Sequence, residues 1–125
     1  MLSKSVVMAT IPAEDLNRAV DFYKEVLGLQ QIEARDGSAT FEAGGGSTIF
    51  IYERARTIAK HTAITFLVKD VEDTVKQLAA KGVTFEQYDM PGIKTNALGV
   101  ADMDGIKLAW LTDPEGNILA LAPAA

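Results

Sequence analysis

The sequence contains no cysteine, which excludes disulfides, thiolate metal sites and cysteine nucleophiles and leaves the compartment unconstrained by redox chemistry. It has one histidine, His61, and one tryptophan, Trp110. It also lacks an excess of basic charge. The 17 Asp and Glu against 12 Lys and Arg leave a formal charge of −5, with no footprint for a phosphate backbone or an anionic membrane surface. Neither a nucleic acid nor a membrane is expected as a partner. Long hydrophobic runs are missing too. The apolar stretch from Val6 to Ile11 is interrupted by Thr10 and soon followed by Pro12, too short for a signal h-region or a membrane span, so a cytoplasmic location is the expectation. The triglycine run Gly44-Gly45-Gly46-Ser47 lacks the following helix and lysine of a phosphate cradle and reads as a hairpin turn. No nucleophile elbow or dinucleotide fingerprint is present.

What is present is ordinary globular material. At 125 residues, with 48% hydrophobic and 23% charged residues, the chain has the size of one domain with one core, spanning 1–125.

Internal repetition organises that domain. ATIPAEDLNRAVDFYKEVLGLQ and TFLVKDVEDTVKQLAAKGVTFE superpose, pairing Asp15 with Asp70, Val20 with Val75 and Gly28 with Gly82, with a one-residue slip over the helix. In each copy an apolar strand (Ser5–Ile11; Thr62–Val68) meets an Asp suited to cap a helix N-terminus. Leu16, Ala19, Val20, Tyr23, Val26 and Leu27 recur at helical spacing in the first copy. Val71, Val75, Leu78 and Ala79 do so in the second. Gly28 and Gly82 fall where a left-handed C-cap residue belongs. Extended segments follow at Leu29–Ala34, Ala39–Ala43 and Ser47–Arg54, and then at Thr84–Tyr88, Gly99–Met103, Ile106–Leu111 and Ile118–Ala122, divided by turn residues such as Asp104-Gly105. The prediction is α+β, two tandem βαβββ units (about 5–54 and 61–123) joined by a short linker at 55–60. Met90–Asn96 has neither strand nor helix pattern and reads as a loop suited to a rim or lid.

The segment EDLNRAVDFYKEVLGL after a strand, together with DPEGNILAL near the C-terminus, resembles the glyoxalase, bleomycin resistance protein and extradiol dioxygenase (vicinal oxygen chelate, VOC) superfamily over essentially the whole chain. The resemblance implies a curved mixed sheet around a cleft, commonly completed by a homodimer. In the enzymes of the family it implies a divalent metal held by inward-facing His and Glu, acting as a Lewis acid. Carried onto this sequence, the ligand positions are Met8, Phe50, Ala63 and Ala120. None of these side chains can hold a hard or borderline divalent ion, so no metal and no cofactor are expected.

Neighbouring residues do not repair the set. His61 lies two residues before Ala63, and Glu53 beside Tyr52, but a His/Glu pair leaves a catalytic site underligated. Glu14/Asp15 and Glu72/Asp73 read as helix-start residues, and Asp102 and Asp104 as flanks of a hairpin. Strand alternation puts Met8 with Thr10, Ala63 with Thr65, and Thr48 with Phe50 and Tyr52 on shared faces. With Trp110 and Ala120 these form the expected ligand-binding set, Tyr88 and Met90 being additions at the rim or floor. Such a lining suits a small, mostly apolar or planar organic ligand, and metal-independent binding in the manner of the bleomycin-resistance branch is the primary reading. The alternative is a glyoxalase-like lyase or isomerase, or an oxygenase, with an atypical metal site at His61 and Glu53.

Overall fold

The structure, a computed structural model, describes residues 1–57 and 59–124. Position 58, within the expected linker, and position 125, at the end of the expected domain, lie outside the described residues. The chain divides into two compact units, Met1–Thr57 and Ile58–Ala125.

The first unit runs β1 (Ala9–Ala13), α1 (Leu16–Asp21) with a π-helical turn at Phe22–Val26, β2 (Gln30–Arg35), β3 (Ser38–Glu42) and β4 (Thr48–Glu53). Its sheet has the order β1-β4-β3-β2, with β1 parallel to β4 and the other pairs antiparallel. The second unit runs β5 (Thr62–Val68), α2 (Val71–Ala80), β6 (Asp89–Met90), β7 (Ile93–Lys94), β8 (Val100–Met103), β9 (Ile106–Thr112) and β10 (Ile118–Pro123). Its main sheet, β5-β10-β9-β8, repeats the topology, the first strand lying parallel to the last. Each sheet is mixed and open, and the fold is α+β as the repeat predicts.

Alternation builds each core. In the first unit Ile11, Ala13, Ala39, Phe41, Ile49 and Ile51 are buried on the sheet face that carries α1, whose contacts fall on β3 and β4. Tyr23 packs on Phe41 there with ring centroids 6.1 Å apart. In the second unit α2 lies over β8, β9 and β10, burying Val71 and Val75 with Val100, Leu111, Leu119 and Leu121. Each large apolar side chain so buried contributes roughly 1.5–3 kcal/mol.

Asp15 caps α1 by accepting the Arg18 N–H at 3.1 Å, and Asp70 caps α2 by accepting the Asp73 N–H at 3.1 Å, satisfying amides that have no intrahelical partner. Glu14 takes a different role from the expected helix-start one: its carboxylate accepts the Arg56 N–H at 3.3 Å, joining the entry of α1 to the segment after β4.

The helix ends account for the one-residue slip in the repeat. After α2 the Val83 N–H reaches the Leu78 carbonyl and the Gly82 N–H reaches Ala79, a Schellman closure with Gly82 at φ +91°. After α1 the Leu27 N–H reaches back five residues to Phe22, and Leu29 six to Tyr23. The wider π turn absorbs one more residue than α2 needs. The cap and the terminal glycine therefore keep equivalent places although Asp15–Gly28 is one residue longer than Asp70–Gly82.

Three expected segments differ from the structure. The first strand begins at Ala9, not Ser5, and Val6 and Val7 are exposed. Ala9 pairs with Ile49, close to where β4 gives way to the triglycine turn, so the residues upstream find no ladder there. Thr84–Tyr88 is not a strand. Phe85 makes a single bridge to Leu111, while the Tyr88 N–H is taken at 2.8 Å by the Thr95 hydroxyl, a side-chain partner that replaces a ladder bond. Met90–Asn96 is not a plain loop. Asp89 pairs with Lys94 and Met90 with Ile93 around Pro91-Gly92, and Thr95 bridges to Ala101, which sets this small hairpin against β8.

Gly99, where the chain turns into β8, is buried at φ +91°. A Cβ there would stand 2.7 Å from the Phe85 Cβ and 3.3 Å from the Glu86 carbonyl oxygen. Gly99→Ala is expected to lower the unfolding free energy by roughly 2–4 kcal/mol, combining left-handed strain with overpacking. Urea unfolding measures it, and a change within about 0.5 kcal/mol, as for an ordinary surface position, would contradict this packing.

Candidate functional site

In the first unit the sheet face opposite α1 carries Thr10, Thr48, Phe50 and Tyr52. Register sets Thr10 beside Phe50 and Phe50 beside Thr40. The Phe50 and Tyr52 rings lie near-parallel (13°) with centroids 6.4 Å apart. Met8 precedes β1 and is 46% exposed. In the second unit Thr65, Ala120 and Trp110 form one row across β5, β10 and β9, on the face opposite α2. Ala63 does not join Thr65 in a regular alternation. Pairing steps from Ile118↔Thr62 directly to Leu119↔Ile64, so Ala63 is the extra residue of an irregularity in the strand.

Trp110 has a further neighbourhood. With Tyr88 and Met90 it lines a hollow of about 240 Å³. The Tyr88 and Trp110 rings meet edge to face at 5.3 Å and 70°, a favoured aromatic geometry. Ile93 and Ile118 extend the apolar wall, and Lys60, His61 and Thr62 complete the lining. Tyr88 is half-buried. Burial, and secondarily the nearby Glu86 carboxylate, push its phenol above the usual range, so it keeps its proton and can donate at neutral pH. Glu86 is itself engaged: its carboxylate accepts the Thr112 hydroxyl, and its N–H donates to the Trp110 carbonyl at 2.8 Å.

The hollow includes residues that strand alternation did not select. His61 is exposed, as expected of a residue at a strand start, yet it belongs to this lining; so do Lys60, Ile93 and Ile118. Pro91-Gly92, a turn signal between two apolar residues, is the local hint that could have revealed the hairpin supplying Met90 and Ile93. A second hollow, of about 380 Å³, runs along β2 between Lys24 and Ala34, but it follows a single edge strand and has no aromatic wall.

The family model for the Glyoxalase/Bleomycin resistance protein/Dioxygenase superfamily matches residues 5–121. The chain belongs to this superfamily. Among solved structures it is similar to lactoylglutathione lyase from Agrobacterium tumefaciens, at 20% identity and TM-score 0.70, covering 98% of this chain and 96% of that one. It is also similar to a glyoxalase family protein from Bacillus anthracis (18%, TM-score 0.73, covering 98% and 96%) and to the fosfomycin resistance protein FosX from Listeria monocytogenes (16%, TM-score 0.70, covering 98% and 94%). No curated protein matches the sequence. At these identities the structures establish a shared fold.

The superfamily's metal chemistry requires oxygen or nitrogen donors converging on one point. Met8, Phe50, Ala63 and Ala120 offer a thioether, a phenyl ring and two methyl groups. Among the described residues no three His, Cys, Asp or Glu side chains are grouped so that they could hold a metal ion, and no Asp or Glu lines the hollow that contains His61. The residues present do not fit a divalent cation. No helix among the described residues is long and apolar enough to cross a membrane.

Proposed function

We propose that this superfamily member is a metal-independent binder of a small planar organic molecule, acting as a cytoplasmic homodimer. The observation that carries the reading is the Trp110 hollow: an edge-to-face aromatic pair, aliphatic walls and a few polar groups, the composition of a site that recognises a flat apolar body. The sets that the sequence marks as ligand-facing, Met8, Thr10, Thr48, Phe50 and Tyr52 on the first unit's sheet and Ala63, Thr65 and Ala120 on the second's, are proposed to offer apolar surface and hydroxyls, each on its own sheet. Lactoylglutathione lyase and fosfomycin resistance name the activities of the related proteins; this chain's donor-poor positions argue for binding without that metal chemistry. The lyase or oxygenase alternative, with a displaced site at His61 and Glu53, gains nothing from the hollow, whose lining includes His61 but no Asp or Glu.

Metal analysis of protein purified without chelators and then dialysed is expected to find well under one equivalent of nickel, zinc, iron or manganese per chain. Thermal stability is expected to rise with the concentration of planar aromatic compounds, as linkage requires of anything that binds the native state. One tightly held equivalent of metal would sink the metal-independent reading. A melting temperature indifferent to every aromatic compound tried would sink the binding one.

A further inference from the structure

We propose that the Trp110 hollow takes a planar aromatic carboxylate, its ring against the Trp110–Tyr88 pair and its carboxylate at Lys60 and His61. This rests on the binding function above and names its ligand class.

Charge carries the inference. The chain is acidic overall, with 17 Asp and Glu against 12 Lys and Arg, yet the ionisable groups lining the hollow are Lys60, His61 and the Tyr88 phenol, and none is a carboxylate. The nearby acids are already committed or turned to solvent. Glu86 accepts from Thr112, and Asp89 is exposed on β6 in register with Lys94. A ligand anion here would meet a lysine ammonium, an imidazole N–H and the Thr62 hydroxyl with no carboxylate in the lining to repel it.

Size and shape narrow the class further. The volume of about 240 Å³ falls below the roughly 300–1,000 Å³ of drug-sized sites, which favours one or two rings over an extended molecule. The apolar groups (Trp110, Met90, Ile93 and Ile118) suit a ring, while Lys60 and His61 remain exposed. The charged end of the ligand therefore need not be fully desolvated, and the charge should add specificity at modest cost.

The sole tryptophan reports directly on this hollow. Titrating the protein with benzoate and with its neutral isostere benzamide, read by Trp110 fluorescence, is expected to give saturable changes with benzoate favoured by about tenfold, the size of one charge-assisted hydrogen bond. The double variant Lys60→Gln/His61→Gln, at exposed positions that should leave folding intact by circular dichroism, is expected to abolish the preference while benzamide binding persists. Lys76→Gln, which removes an exposed charge from α2 on the other face of the same sheet, should leave the preference unchanged. Equal affinity for the two compounds, or a preference that survives the double variant, overturns the carboxylate assignment and leaves planar-ligand binding standing. No fluorescence response to either compound overturns both.

Discussion

Phe41→Ala is expected to lower the unfolding free energy by about 3–5 kcal/mol, the range for emptying a buried aromatic site. Phe41 is fully buried on β3, where it meets Tyr23 of the π turn at 6.1 Å and is flanked across the sheet by Ile49. The change removes transfer free energy and opens a cavity at the contact between helix and sheet, which cannot collapse without moving the helix. A domain of this size has roughly 5–15 kcal/mol in total, so the variant should unfold at markedly lower urea concentration with little change in slope. Phe41→Leu, which keeps most of the volume, should cost far less. A loss below about 1 kcal/mol for the alanine variant would mean that Phe41 is not the centre of this core.

Asp113→Ala is expected to cost about 3 kcal/mol or more. Asp113 is 4% exposed, and its carboxylate accepts the Glu115 N–H, the Asn117 N–H and the Asn117 Nδ2–H, each at 2.9 Å. The turn is also closed by the Asp113 N–H to the Asn117 carbonyl at 2.9 Å and by the Gly116 N–H to the Asp113 carbonyl at 3.1 Å. Alanine strands three buried donors, each left with a desolvation cost of roughly 1–3 kcal/mol, partly relieved by water. Asp113→Asn separates the charge from the acceptor geometry. Its amide oxygen can keep both backbone donors, and a flip of the Asn117 amide removes the clash between the two NH₂ groups, so it should cost about 1 kcal/mol. Denaturant unfolding of the pair checks this, and equal losses would show that the charge, not the acceptor geometry, is what the turn requires. Because this turn starts β10, the alanine variant should also weaken ligand effects on Trp110, which lies beside Ala120 of that strand.

The DPEGN segment was legible as a turn because Asp, Pro and Gly act through local backbone chemistry. The same holds for Asp15 and Asp70, whose capping depends on amides three residues away, and for β5, whose apolar run became a strand from Thr62 to Val68. Local chemistry misled where pairing decides. Val6 and Val7 have strand-forming side chains but lie beyond the useful end of β4. Phe85 was expected in a strand and obtained one bridge, because the neighbouring Tyr88 amide found the Thr95 hydroxyl instead.

The candidate site divides in the same way. Period-two alternation grouped Met8 with Thr10, Ala63 with Thr65, and Thr48 with Phe50 and Tyr52, since each strand presents every second residue to one side; that Thr65, Ala120 and Trp110 form one row follows only from the strand register. Ala63 escaped that rule because a register irregularity depends on the partner strand as well as on its own residues.

From the sequence alone came the α+β class, the tandem βαβββ units, their capped helices and the lack of metal donors at the four positions the superfamily resemblance marks. These follow from periodicities and residue chemistry that act over a few neighbours. The tertiary structure alone decided that Lys60 and His61, Tyr88, Met90 and Ile93, Trp110 and Ile118 share one hollow. They come from four separate stretches of the chain, brought together by the β5-β10-β9 strand order and the β6–β7 hairpin, and long-range pairing of that kind leaves no periodic trace in any one stretch.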